Sequence, residues 1–274
     1  MPLIGLTCPK DSMNRTPAVC MACHGCMSKP LLKAIIGEYR EVKKERWSVT
    51  EILDPPQLVY LRRNRDYYCN PYSLVWAVFG SAVHNILQHH GDGSTEENPT
   101  QYEVEKKFEA PVCGITLVGK VDLWDKEEKA LWDYKTIKEY SVLLMKKGVW
   151  DNKYKDQMNI YKVYGFPTAE KLMLECIVKD HRADSECNPV EDIEVPIENV
   201  AQVIIQTNDL LRKHLDTQET GIFTPCTDEE RWINKNPRSK NYMIPLRCRD
   251  YCAVSSICPQ HQGERYETRE NKYY

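Results

Sequence analysis

Residues 115–136, ITLVGKVDLWDKEEKALWDYKT, constrain this chain more than any other stretch. Apolar residues alternate with others in ITLVGKVDLW and again in ALWDYKT, the period-two pattern of half-buried strands, and the charged segment DKEEK between them reads as a turn. A loop centred on Glu127 and Glu128 sets Asp122 directly across from Asp133. Facing residues of an antiparallel pair share one side of the sheet, with Cβ atoms roughly 5 Å apart. Lys135, two residues on, points to that face, and Tyr134 points away. Two facing carboxylates repel, which raises the pKa of one of them unless a cation lies between. The turn has no Asn-Gly or Asp-Gly, so the register stays open by about a residue. Two aspartates and a lysine in one small volume form a hard-metal site with an ammonium beside it, a chemistry suited to phosphodiester hydrolysis.

For Asp122 or Asp133 alone, a solvated charge on an edge hairpin is the plainer account. The ordered set of motifs argues otherwise. Gly119 to Asp122 gives G-x-x-D, and Asp133 to Lys135 gives D-Y-K after ten intervening residues. Upstream stands a G-x-x-x-H helix, Gly80 to His84, and downstream Gln157 and Tyr161 form Q-x-x-x-Y. In this order, over about residues 47–262, the chain resembles the RecB-like branch of the PD-(D/E)XK nucleases. The resemblance implies an α/β, restriction-endonuclease-like core, a mixed central sheet flanked by helices. His84, Asp122, Asp133 and the carbonyl of Tyr134 would hold one or two Mg²⁺ or Mn²⁺ ions. Lys135 would orient or deprotonate a water or stabilise the transition state. Gln157 and Tyr161 would lie over the substrate, and Ser48 to Pro56 looks like the start of phage-type members. The implied substrate is DNA, single-stranded or with free ends. Protein partners would belong to recombination, repair, phage replication or CRISPR adaptation.

Charge does not advertise nucleic acid by itself: 37 Lys and Arg stand against 40 Asp and Glu, a net charge of −3. Binding would need local basic patches, at residues 43–46, 62–65, 146–147 and 238–240, each of which is also readable as a solvated face. Nothing at the start of the chain resembles a secretory leader. The longest apolar run, residues 72–87, is interrupted by serines, a glycine and a histidine and is too short to span a bilayer. The expectation is a cytoplasmic protein without a membrane role. There, twelve cysteines are better explained by metal or cluster ligation than by disulfides.

Eight of those cysteines fall into two sets. Cys8, Cys20, Cys23 and Cys26 can wrap one ion, with Zn²⁺ the first choice, a [4Fe–4S] cluster the competitor, and His24 a substitute for one thiolate. Cys248, Cys252 and Cys258 resemble the C-terminal triplet of RecB-like nucleases that carry a [4Fe–4S] cluster, including CRISPR-adaptation exonucleases. Cys226 is favoured as fourth ligand over Cys69, and zinc in the same thiolates stays open. Cys113 and Cys176 read as small buried apolar residues. The expected organisation is a cysteine-rich knuckle over 1–30, a nuclease core over 31–220 and a cysteine-cluster lobe over 221–274.

Periodicity predicts helices over 31–44, 71–89, 154–164 and 197–216, strands starting at Tyr102 and Lys171, a capping box of Ser48 with Glu51, and a polar loop over 91–100. The 71–89 helix is expected to bury Val75, Phe79, Ala82, Val83 and Ile86, with Gly80 allowing a close approach to the sheet. Two further classes remain: a non-catalytic cysteine-rich nucleic-acid adaptor, and a redox-sensing iron–sulfur protein.

Overall fold

The computed structural model describes residues 3–23, 26–37, 43–90, 101–150 and 152–262. In chain order these form β1 (Leu3–Thr7), β2 (Asn14–Arg15), α1 (Pro17–Ala22), α2 (Lys29–Ile36), β3 (Arg46–Ser48), α3 (Val49–Ile52), α4 (Pro56–Asn64), β4 (Tyr67–Cys69) and α5 (Val75–His90). Then come β5 (Tyr102–Val112), β6 (Ile115–Asp125), β7 (Ala130–Ile137), α6 (Glu139–Lys146), α7 (Asn152–Tyr164), β8 (Lys171–Val178), β9 (Val190–Glu194), α8 (Val200–Thr220) and α9 (Pro259–Gln262). The architecture is mixed α/β, and the chain divides into two compact units.

One unit, from residues 43–53 and 79–213, contains a mixed sheet ordered β3-β6-β7-β8-β9, with β5 along the other edge of β6. β5–β6, β6–β7 and β8–β9 are antiparallel; β3–β6 and β7–β8 are parallel. The β7–β8 crossover runs through α6 and α7, as parallel neighbours require. Along β8 every second residue, Leu172, Leu174, Cys176 and Val178, is buried, so alternation aims one apolar row at the core. Ser48 accepts from the Glu51 amide at 3.2 Å and starts α3, the serine half of the expected capping box.

The other unit draws on the described residues of Met1–Val42, Asp54–Val78 and His214–Tyr274. Its small sheet, β2-β1-β4, pairs β1 parallel with β4, so the first described residues are stitched to residues 67–69. Leu6, Cys20, Leu32, Ile35 and Cys69 form one apolar cluster there, and Leu61, Tyr67, Val254 and Cys258 another. The described residues of the expected 1–30 knuckle thus fall in the same unit as those of 31–42. Leu6 is 1 % exposed, and β1 supplies β4 with its ladder partner.

Other expectations change for local reasons. The helix over 31–44 stops at Ile36, where Gly37 adopts φ +65° and donates its amide to the Lys33 carbonyl, a glycine C-cap; residues 38–42 lie outside the described ones, as do His24 and the loop over 91–100. α5 does not bury the expected stripe: Phe79 is 41 % and Ile86 60 % exposed. Its inner face is Gly80, Val83, His84 and Leu87, all partly buried at helical spacing. A Cβ at Gly80 would meet Thr136 Oγ1 at 3.5 Å, an ordinary contact, so glycine is not required there for close approach. Cys176 is buried as expected, but Cys113 is exposed on the β5–β6 turn and donates to Asn208 Oδ1 at 3.3 Å.

Candidate active site

β6 and β7 pair with Leu123 opposite Trp132 and Asp125 opposite Ala130, so Asp122 and Asp133 are the next pair in that register. Both aspartates are buried. Asp122 spends one oxygen on the sheet, since the Tyr134 amide donates to its Oδ2 at 2.8 Å. Its other oxygen, Oδ1, lies 3.2 Å from His84 Nδ1 on α5. Asp133 is met from two sides. Lys135 pairs with Oδ2, and Gln157 Nε2 on α7 donates to Oδ1 at 3.1 Å and to the Tyr161 hydroxyl at 2.9 Å. His84 and Asp122 thus form one polar pair, and Asp133, Lys135, Gln157 and Tyr161 a polar group at the facing strand.

Electrostatics follow from burial. Loss of water pushes the Asp133 carboxyl up, with the Asp122 charge in the same direction and the Lys135 ammonium opposing. Burial pulls the Lys135 ammonium down, but the Asp133 charge and hydrogen bond outweigh it and hold the pKa above the usual lysine value. The hydrogen bond to Asp122 raises His84, against burial. Burial also lifts Tyr134 to about 12, so its phenol stays neutral; its ring packs edge-on against the His84 imidazole with centroids 6.2 Å apart. The Tyr134 side chain therefore reaches the site from beside His84 instead of standing apart from it.

Several residues that support this group were not singled out from sequence. Tyr154 takes the Lys135 ammonium over its ring at 5.2 Å. Its spacing to Gln157 and Tyr161, three and seven residues, is one helix face, a signal the sequence does carry. Phe108 on β5 packs edge-on against Tyr161 and fills the space left by two glycines. A Cβ at Gly119 would come within 2.2 Å of its ring, and one at Gly165 within 2.5 Å. The glycine of G-x-x-D is thus a place for an aromatic ring that backs Tyr161. Glu105, the β5 position that the register skips opposite Asp122, has φ +54° and sends its carboxylate to Lys120.

Part of the charge in the expected basic patches is already paired. Arg46 pairs with Glu109 at 2.5 Å, Arg62 with Asp54 at 3.5 Å and Lys146 with Glu191 at 2.8 Å, while Arg63 is buried.

Both cysteine sets lie in the other unit. Cys8, Cys20, Cys23 and Cys26 line one cavity of about 180 Å³ with Arg15. Cys226, Cys248, Cys252 and Cys258 line another of about 20 Å³, the room of one water-sized occupant. Cys69 does not line it. The fully buried Gln57 ties two of the four together, donating from Nε2 to Cys258 Sγ at 3.2 Å and accepting from the Cys226 amide at 3.2 Å. Gln260 holds Cys226 through a second pair of bonds, both 3.0 Å. Burial lifts the Cys226 thiol to about 12 and the Cys252 thiol to about 11.

Among the described residues, no group of three or more His, Cys, Asp or Glu side chains is already gathered in metal-ligating geometry. The donor types fit nonetheless. Two carboxylates and an imidazole suit a hard divalent cation, and four thiols suit zinc or iron. No helix of the described residues is long and apolar enough to cross a membrane.

No protein-family model matches the chain, and no curated protein matches it. Among solved structures it is similar to the protein reported as SSO0001, with 20 % identity and a TM-score of 0.51 over 84 % of this chain and 94 % of that one. This likeness is one of fold. Weaker similarities are to an alkaline exonuclease from Laribacter hongkongensis, LHK-Exo, at 10 % identity and TM-score 0.42, covering 64 % of this chain and 90 % of that one. The same exonuclease in complex with dAMP gives 11 % identity and TM-score 0.38, covering 63 % and 89 %.

Proposed function

We propose that this chain is a metal-dependent DNA nuclease of the RecB-like PD-(D/E)XK type, acting on single-stranded DNA or free ends. The observation that carries the reading is the convergence on Asp133 of Lys135 and Gln157, across the strands from Asp122 and its His84 partner. An unspecialised core would not bury two facing carboxylates with one ammonium between the strands and the helix. His84, Asp122, Asp133 and the Tyr134 carbonyl are the proposed ligands of Mg²⁺ or Mn²⁺. When bound, such an ion lowers the pKa of a water and neutralises charge on the phosphate. Lys135 orients that water or meets charge developing on the scissile phosphate. Gln157 fixes the rotamer of Asp133, and Tyr161 fixes Gln157.

The C-terminal quartet is proposed to hold a structural [4Fe–4S] cluster or Zn²⁺, and the N-terminal quartet Zn²⁺ or, in the competing arrangement, iron. That Cys226, Cys248, Cys252 and Cys258 all line one cavity supports a shared centre. Either centre closes its segment onto the unit by making metal binding part of the folding free energy.

The test is cleavage of linear single- and double-stranded DNA with Mg²⁺ or Mn²⁺, comparing wild type with Asp133→Asn and Asp122→Asn. Cleavage abolished by both substitutions supports the assignment. Wild-type protein that binds DNA but never cuts it, under either metal, returns the chain to the adaptor class.

A further inference from the structure

A second concave feature lies beside the C-terminal cysteines, in the same unit. It is a cleft of about 290 Å³ with Tyr72, Trp76 and Tyr251 among its walls and Asn70, Arg249 and Ser255 among its polar groups. That volume is near the lower bound of about 300 Å³ for small-molecule pockets, the scale of a base with its sugar. Its three aromatic residues are 51 %, 52 % and 42 % exposed in that order, although residues of this kind contribute most when buried. The rest of the lining is largely polar, so these rings are the part of the cleft that a flat ligand face would cover.

Chemistry narrows the occupant. The Arg249 guanidinium is matched on both sides by Asp250, with Nε to Oδ1 at 2.7 Å and Nη2 to Oδ2 at 2.6 Å. The cleft therefore carries a balanced charge pair and is no trap for a free phosphate. What it offers is flat π faces, with hydroxyl and amide groups at their edges. The aromatic surface also continues past the cleft: Trp232, 49 % exposed, lies 5.3 Å from the Tyr251 ring, and Arg247 covers Trp232 at 5.7 Å. Exposed rings of this kind suit unpaired bases, because every base has a π face and stacking is indifferent to sequence.

We propose that this cleft binds the unpaired bases of single-stranded DNA by stacking on Tyr72, Trp76 and Tyr251. The inference rests on the nuclease reading for the identity of its ligand. It adds a subsite that stacks bases to the carboxylate site that would act on the backbone.

The test is fluorescence anisotropy with a labelled oligothymidylate of about 12 nucleotides, in EDTA so that nothing is cut. A strand of the same length with abasic sites, and a duplex, serve as the other arms. Trp76→Ala and Tyr72→Ala are expected to bind the intact strand about 5- to 100-fold more weakly. Trp76→Phe should recover most of the loss, and the variants should match wild type on the abasic strand. Salt dependence should be the same in wild type and variants, since no phosphate contact is removed. Metal content and circular dichroism of each variant verify that it is folded. Wild-type affinity in Trp76→Ala, an equal loss on the abasic strand, or a duplex bound as tightly as the single strand overturns the proposal. Cleavage is scored separately. If wild type never cuts DNA but Trp76-dependent binding persists, the nuclease reading fails and the cleft stands. If wild type cuts and Trp76→Ala binds like wild type, only the cleft fails.

Discussion

Gln157 donates a hydrogen bond to Asp133 Oδ1 at 3.1 Å while its Nε2 also reaches the Tyr161 hydroxyl. One amide therefore sets both the rotamer of a buried carboxylate and the position of a phenol one helical turn on. Gln157→Leu should lower cleavage about 10- to 100-fold, the usual effect of losing a residue that orients a metal ligand. Higher Mn²⁺ should restore part of it, and Gln157→Glu should not, because a second carboxylate repels the first. A merely structural glutamine would give a stability loss with no change in metal dependence.

Lys135 and Asp133 are a buried pair, so the two single substitutions should differ from the double one. Lys135→Met leaves Asp133 without its cation and should cost about 3–5 kcal/mol in urea unfolding. Combining it with Asp133→Asn removes the stranded charge and should recover most of that loss while leaving the protein inactive. Additive stabilities in the double-substitution cycle would show that the two groups do not interact.

His84 gives the pH dependence. Its folded pKa is raised above the free value of 6.5, first by its hydrogen bond to Asp122. Its contribution to stability is therefore complete below the unfolded pKa and fades as pH rises through the folded one. In EDTA, the melting-temperature difference between wild type and His84→Ala should be larger at pH 6 than at pH 8.5. The opposite trend would mean that the imidazole is not held by Asp122 in the metal-free protein.

Gly119→Ala places a methyl group 2.2 Å from a Phe108 ring atom and 2.9 Å from Tyr161. Overpacking of this kind costs about 1–3 kcal/mol, and the displaced ring should take Tyr161 with it, lowering activity as well. In a Phe108→Leu background the same substitution should be much less harmful. Equal penalties in both backgrounds would place the cause elsewhere.

The fourth C-terminal thiolate is settled by metal analysis of anaerobically purified protein. Cys226→Ser should lose the metal proposed for Cys248, Cys252 and Cys258, and Cys69→Ser should keep it, because Cys226 lines their cavity and Cys69 sits in the cluster around Leu6. Gln57→Leu should weaken retention, since it removes the donor to Cys258 Sγ. Metal lost from Cys69→Ser and kept by Cys226→Ser refutes this arrangement.

Much of the sheet that carries the site was legible in the sequence, because alternation reports burial directly: the β6–β7 register that sets Asp122 beside Asp133 follows from counting through DKEEK. Gln157 and Tyr161 were legible differently, through the resemblance to Q-x-x-x-Y and a four-residue spacing that puts both on one face of α7. What periodicity could not supply was partnership between distant segments. β1 is five residues long, and nothing local says that it pairs with β4 some sixty residues on. The exposed side of α5 was misjudged because its apolar residues encircle the helix, and composition does not say which of them a neighbour covers. Phe108 was invisible as a supporting residue, since its role arises only where Gly119 and Gly165 come together in space.

The two units are also unequal in how the chain assembles them. One is complete once residue 213 has been made; the other needs residues from His214 onward to join segments synthesised far earlier. During synthesis, which proceeds from the N-terminus at about 5–20 residues per second, the unit with the paired aspartates can close while the unit with the two cysteine quartets still awaits its last segment. On a ribosome, β1 and β4 leave the exit tunnel before Cys226, Cys248, Cys252 and Cys258 are made, so the segments of their unit can meet only late in synthesis. Nascent chains stalled so that residue 213 has just cleared the exit tunnel should therefore already resist protease across 101–213 and remain sensitive over 3–37.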